Sequence, residues 1–258
     1  MQSTEMVDYS VIREEKASPF LRTVRHEVEV AEPIAEEFWW RKPASDVDEL
    51  EIAEIPSKPL YEISKRLLDI TLSSLFLLLS LPLFMVIAIA VKVTSPGPIL
   101  FKQKRIGRGG KDFVIYKFRT MVQDAEKQLQ SSSDLKLRFE DNFKIKDDPR
   151  ITPIGAVLRK TSLDETPQFI NVIKGDISLV GPRAIVRGEV PRYGDAIGKV
   201  LAVPAGLSGW WQVRGRTDTT YAERVQMDLR YVDERSLWLD IKLIFETALS
   251  VLRCRGAY

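Results

Sequence analysis

The sequence predicts an α+β fold, mostly helical: an N-terminal re-entrant membrane helix, a small β-hairpin or sheet, and amphipathic interfacial helices. Three observations carry that expectation. Ile70–Val91 is a run of 22 consecutive uncharged residues, mostly apolar. Gly107-Arg108-Gly109-Gly110 separates two short segments of strand character. The C-terminal part reads at helical spacing, with recognisable starts and stops.

A chain of 258 residues holds one large domain or two small ones. Its small net charge hides an asymmetry. Residues 1–60 carry 14 Asp/Glu against 7 Lys/Arg, a net of −7; residues 61–258 carry 22 against 31, a net of +9. The first 60 residues also hold five prolines and show no sustained period, so they are expected to be an acidic, largely disordered arm with a short helix near 34–40. Residues 1–15 include four acids and lack an apolar h-region, so no secretory signal is expected. Residues 61–94 are the expected membrane-anchoring helix, and 95–258 the catalytic domain. The basic balance of residues 61–258 suits phosphate-bearing ligands or an anionic membrane surface. A single cysteine rules out an internal disulfide, consistent with a reducing compartment.

The apolar run is long enough to span a membrane, about 33 Å as a straight helix. Pro82 lies near its middle and removes a backbone hydrogen bond there. Basic residues flank both ends: Lys65 and Arg66 before it, Lys92, Lys102, Lys104, Arg105 and Arg108 after it. The positive-inside bias draws both ends to the cytoplasm, which a helix satisfies by bending at Ser80–Pro82 and returning. A kinked spanning helix is the competing reading, because membrane helices tolerate proline. Lys65 and Arg66 are read as headgroup anchors, with helical ion pairing to Asp69 as the alternative.

Beyond the run, Ser95-Pro96-Gly97-Pro98 is a turn. Residues 99–102 and 113–118 are the expected hairpin strands. Residues 123–138 are helix-compatible, 147–149 a turn, and 154–159 a short helical turn. Residues 168–173 read as a helix that stops at Lys174-Gly175, and 221–234 as another helix. In 237–253, Ile241, Ile244, Phe245, Ala248, Leu249 and Leu252 share one half of a helix, while Leu239 and Leu243 break the pattern. That helix is expected either on the core or in the membrane interface.

Candidate chemistry centres on Asp164 and Glu165, adjacent carboxylates in SLDETPQ. The only histidine, His26, and the only cysteine, Cys254, lie near the termini, so a Ser-His-Asp triad, a Cys-His pair and a typical zinc site are unavailable from residue 61 to Cys254. Ser162-x-x-Glu165 also fits a helix capping box, although Pro167 makes Thr166 the better cap. Arg159, the turn Val180-Gly181-Pro182-Arg183, and Lys117 and Arg119 in YKFR supply cations. A diphosphate site needs such cations, together with a hard metal such as Mg²⁺ on carboxylate oxygen. A carboxylate can also attack phosphorus directly.

In this order the elements resemble one family, the bacterial sugar transferases, or monotopic phosphoglycosyl transferases. The matching stretches are KRLLD (65–69), SPGPILFKQKRIGRGGKDFVIYKFRTM (95–121), DDPRITPIGAVLRKTSLDETPQFINVIKGDISLVGPR (147–183), PAGLSGWWQVRGR (204–216) and CRGAY (254–258). The resemblance implies transfer of a sugar 1-phosphate from a UDP-sugar to undecaprenyl phosphate with release of UMP, at the bacterial inner membrane, with the catalytic domain facing the cytoplasm. It implies Asp164 as a nucleophile that forms a phosphosugar intermediate and contacts Mg²⁺, Glu165 as its support, Arg159 and Arg183 as phosphate-binding residues, and a re-entrant helix bent at Ser80–Pro82. Two departures stand out. Ser80 and Pro82 are separated by Leu81, and Ala184 replaces the second proline of GPRP. The overall likeness points to galactose or glucose, with an N-acetylated or deoxy sugar as the alternative. A non-catalytic scaffold of glycan assembly is the competing class of function. No nucleic-acid module is present, and a homodimer is compatible with an anchored chain.

Overall fold

The computed structural model describes residues 50–132, 134–135, 145, 147–214 and 219–252, all within one compact unit, Trp39–Tyr258. The short helix expected near 34–40, residues 133 and 136–138 of the helix expected over 123–138, and the CRGAY tail lie outside the described residues. The architecture is mainly helical with two small sheets, as expected. Helix α1 spans Pro59–Thr94. Strands β1, Leu100–Ile106, and β2, Asp112–Phe118, pair antiparallel from Leu100↔Phe118 to Ile106↔Asp112. Helices α2, Ala125–Ser131, α3, Pro153–Thr161, and α4, Gln168–Lys174, follow. Strand β3, Ser178–Val180, lies parallel to β4, Gly206–Ser208, with the short helix α5, Ile197–Val200, between them. Helices α6, Trp210–Arg214, α7, Tyr221–Glu234, and α8, Leu237–Leu252, complete the order.

Helix α1 is built inside out. Its buried residues are Lys65, Asp69, Ser73, Ile87 and Val91, one stripe at four-residue spacing whose first half is polar. Leucines such as Leu75, Leu78 and Leu79 face away from the protein. The helix is long and apolar enough to cross a membrane, and its most apolar window reaches a mean hydropathy of 2.7. Pro82 sits inside the helix, which runs unbroken through Ser80-Leu81-Pro82. Loss of one hydrogen bond there is tolerated among the flanking leucines. Contacts with the rest of the chain reach the middle of the helix, on either side of Pro82: Phe76 stacks on Phe169 at 4.1 Å, and Phe84 meets Phe118 edge-on at 5.4 Å.

Lys65 and Arg66 have protein partners rather than the headgroup-facing positions expected. The Lys65 ammonium, buried, donates to Asp240 Oδ2 at 2.8 Å and to the Val180 carbonyl at 2.9 Å. Arg66 donates to the Val172 and Ile173 carbonyls, both at 2.6 Å, and so satisfies the C-terminal end of α4. Asp69 accepts from Ser178 Oγ and the Leu179 amide, each at 3.0 Å, rather than pairing along its own helix. KRLLD therefore bonds the anchor to the body.

Helix α8 does not bury its apolar half in the core, the first of the two settings expected for it, although Ile244 packs against the core cluster. Leu239, Asp240 and Leu243 are buried, while Trp238, Ile241 and Phe245 are exposed. The core contact is made by the two leucines that interrupted the apolar pattern, around one buried carboxylate. The apolar half is left to line, with Leu68 and Leu72 of α1, an open groove of about 440 Å³. The acidic arm also reaches the core: Leu50 and Ile52 pack on the cluster of Ile106, Ile185, Val190 and Val225, and the Ala53 amide donates to the Gly198 carbonyl at 3.2 Å.

Candidate active site

The candidate site is built where α3 hands over to α4. Thr152 caps α3 by accepting from the Gly155 amide at 3.0 Å, and Pro153 occupies its first turn. Position 155 must be glycine, because a Cβ there would lie 2.0 Å from the Thr120 carbonyl oxygen. That close approach fixes α3 against the end of β2. Arg159 Nε then donates to Thr120 Oγ1 at 3.0 Å. Ser162 ends α3 in a left-handed conformation, φ 58°. The chain turns sharply, and Leu163–Glu165 form a single 3-10 turn before α4. Neither expected cap forms: Ser162 makes no side-chain cap bond, and the Thr166 hydroxyl donates to the Leu163 carbonyl at 2.7 Å. The capping-box reading of the carboxylates fails with it.

Helix α4 is held to β2 by Asn171, which is fully buried. Its Nδ2 donates to the Val114 carbonyl at 2.6 Å and its Oδ1 accepts from the Tyr116 amide at 3.1 Å. This contact brings Lys117 to the dyad. The Lys117 ammonium donates to Glu165 Oε1 at 2.5 Å. The Lys117 charge, foremost, holds the Glu165 carboxyl below its ordinary range, against the effect of burial and with Arg183 and Arg105 also contributing. Asp164 moves the other way. Burial pushes it up to about 6 and the Glu165 charge adds to this, while Lys117 and Arg159 oppose. The environment therefore splits the pair into an anchored anion, Glu165, and a poorly stabilised carboxylate, Asp164. The second is the better nucleophile.

Among the described residues no three His, Cys, Asp or Glu side chains group to hold a metal. A divalent cation here would take one or two carboxylate oxygens and complete its shell from substrate phosphate and water, the habit of Mg²⁺. Asp164 fits that role, since Glu165 is already committed to Lys117.

Residues 60–254 match the family described as bacterial sugar transferase. The chain belongs to that family. It is 46% identical over 199 residues to the undecaprenyl-phosphate galactose phosphotransferase of Salmonella typhimurium, covering 75% of this chain and 41% of that protein. It is 40% identical over 205 residues to the exopolysaccharide production protein ExoY of Rhizobium meliloti, covering 78% of this chain and 91% of that one. It is 40% identical over 225 residues to the UDP-glucose:undecaprenyl-phosphate glucose-1-phosphate transferase of Escherichia coli, covering 81% and 46%. The chain thus spans less than half of the first and third of these proteins and nearly all of the second.

Not every expected site residue of this sugar transferase gathers at the dyad. Lys117 bonds it, and Arg159 and Arg183 lie within electrostatic reach. Arg119 points elsewhere. It is buried at the end of α1, where Nη2 donates to Ser95 O at 2.7 Å and Ser95 Oγ at 2.8 Å. Alternation along β2 puts Lys117 and Arg119 on the same face, but β2 ends at Phe118, so the next side chain follows the turn rather than the strand. Trp210 and Trp211 are buried, with Arg214 4.8 Å from the Trp210 ring and Arg224 4.3 Å from the Trp211 ring. Sequence reasoning missed Thr120, Asn171, Asp228 and Asp240. All four are buried; Asn171 and Asp240 stand in apolar segments, a signal that could have flagged them, whereas Thr120 and Asp228 stand in polar ones and carried none.

Proposed function

We propose that the chain transfers a sugar 1-phosphate from a UDP-sugar to undecaprenyl phosphate in two steps through Asp164, as the first step of an exopolysaccharide or other surface glycan. An Asp164 carboxylate oxygen bonds to the sugar-bearing phosphorus. The bond from that phosphorus to the bridging oxygen breaks, and UMP leaves with the electron pair. A phosphate oxygen of undecaprenyl phosphate then attacks the same phosphorus, the aspartyl-phosphorus bond breaks, and the carboxylate is regenerated. Lys117 fixes Glu165, whose charge keeps Asp164 reactive. Arg159 and Arg183 neutralise phosphoryl oxygens. Asp164 would hold Mg²⁺, which supplies charge neutralisation for the diphosphate. The observation that carries the reading is the unequal environment of the two adjacent carboxylates. Galactose or glucose is the proposed sugar, in line with the names of the relatives above.

Purified protein in detergent, given Mg²⁺, undecaprenyl phosphate and a panel of UDP-sugars, is expected to release UMP with UDP-galactose or UDP-glucose. Chelation of Mg²⁺ is expected to stop the release. No UMP from any common UDP-sugar would sink the enzymatic reading.

We further propose that α1 enters and leaves the membrane on one side, with the body at the cytoplasmic face. Support comes from its contacts: Lys65 bonds Val180 and Asp240 near one end, and Val91 packs with Phe118 and Leu158 near the other. Those α1 positions are about 39 Å apart along a helix, more than a bilayer's hydrocarbon thickness, yet both rest on one soluble body. Cysteines placed near 60 and 95 are expected to react with a membrane-impermeant reagent from the same side; labelling from opposite sides overturns this topology.

A further inference from the structure

Behind the dyad lies a second basic cluster with too few acids. Arg105 leaves β1, Arg183 leaves the GPR turn, and Arg224 leaves α7. Glu189 serves both Arg105, at 3.5 Å, and Arg224, at 3.9 Å. Arg183 and Arg224 flank the Trp211 ring at 5.4 and 4.3 Å from its centroid. Among the described residues, Glu165 also acts on Arg105 electrostatically, and Asp228 accepts from the Arg183 amide at 3.2 Å and the Tyr193 hydroxyl at 2.9 Å. Burial pushes Asp228 up to about 7, so it is at best a partial counter-charge. The Nε atoms of Arg105, Arg183 and Arg224 are all buried without a hydrogen-bond partner, as is the Tyr221 hydroxyl.

Three guanidinium groups gathered around one ion-paired carboxylate, Glu189, with Glu165 acting from the dyad, are costly, because buried charges need partners. Their mutual repulsion is visible: burial lowers Arg105 to about 10, with the Arg183 charge the next cause, and the same two causes lower Arg224. An arrangement of this kind is stable when an anion completes it, and guanidinium forks suit phosphate. Arg105 and Arg183 both act electrostatically on Glu165, so the cluster adjoins the dyad. Its side chains sit by the core of Ile106, Ile185, Val190 and Val225, to which α1 contributes no residue. The cluster thus lies by a core that α1 does not enter, and it carries the aromatic rings of Trp211 and Tyr221 beside its cations.

We propose that Arg105 and Arg224, together with Arg183, form the pocket for the nucleotide's own phosphate, the group that departs as UMP. This rests on the transfer reaction proposed above. Lipid phosphate has the same chemistry, but it would have to come from the α1 side.

Full-length protein in detergent is titrated with UMP, with uridine and with undecaprenyl phosphate, for the wild type and for Arg105→Gln, Arg224→Gln and Arg224→Lys. Loss of one charge-assisted contact should weaken UMP about 10- to 100-fold in the glutamine variants. Arg224→Lys should restore part of that loss, uridine should bind equally poorly to all, and undecaprenyl phosphate affinity should stay level. Arg105 also donates to the Ala184 carbonyl at 3.1 Å and to Gln103 Oε1 at 2.7 Å, so the ligand-free unfolding midpoint is read alongside to confirm that each variant compared is folded. Unchanged UMP affinity overturns the proposal. So does a loss shared equally with undecaprenyl phosphate. Wild-type UMP release, measured alongside, separates this result from a failure of the transfer reading itself.

Discussion

Asp164→Asn is expected to lower turnover by about 10⁴-fold or more, the scale seen when an enzyme loses its nucleophile. Asparagine keeps the volume and the 3-10 turn of Leu163–Glu165, so the loss would be chemical rather than structural. Intact-protein mass after incubation with UDP-sugar alone reads the step directly. Wild type should gain one phosphosugar; Asp164→Asn should gain none. Glu165→Gln should behave differently. It keeps a hydrogen-bond acceptor for Lys117 but removes the negative charge that raises Asp164. The adduct should still form, more slowly, by a factor nearer the contribution of one charged contact, about 10- to 100-fold. An adduct on Asp164→Asn would remove that residue as nucleophile, whatever the fate of Glu165.

The dyad was legible in the sequence because the alternatives were missing: from residue 61 to Cys254 the chain has no imidazole and no thiol. The hairpin was legible from Gly107–Gly110, and α7 was read over 221–234; the structure adds its cap, where Thr220 Oγ1 accepts from the Glu223 amide at 3.3 Å and Glu223 accepts from the Thr220 amide at 2.8 Å. What periodicity could not give was which face of a helix meets lipid. Apolar residues of α1 and α8 look alike whether they face core or membrane, so the pattern in 237–253 selected the exposed half. Local chemistry could not give long-range polar partners either. Lys65 and Asp240 are 175 positions apart, and nothing in either segment names the other. Arg119 looked like a twin of Lys117 until the end of β2 separated them.

That long-range pair leads to a large expected effect on stability. Asp240 is fully buried and is shared: Lys65 donates at 2.8 Å, Tyr231 at 2.7 Å and Tyr61 at 3.0 Å. Asp240→Leu would strand a buried ammonium and two hydroxyls, and removing one partner of a buried ion pair costs about 3–5 kcal/mol. At about 2–4 °C per kcal/mol for a chain of this size, the unfolding midpoint should drop by roughly 6–20 °C. Lys65→Met with Asp240→Leu together should recover much of that, since the stranded charge is gone. A double variant no more stable than Asp240→Leu alone would mean that the tyrosines, not the ion pair, carry the junction. Activity should follow a different order. Lys65 and Tyr231 both donate to the Val180 carbonyl, the residue that opens the Val180–Arg183 turn. The double variant therefore restores stability but still lacks the Lys65 bond to that turn. Its KM for UDP-sugar should stay above wild type even where its midpoint returns, because Arg183 is aimed by a turn that the membrane helix helps to hold.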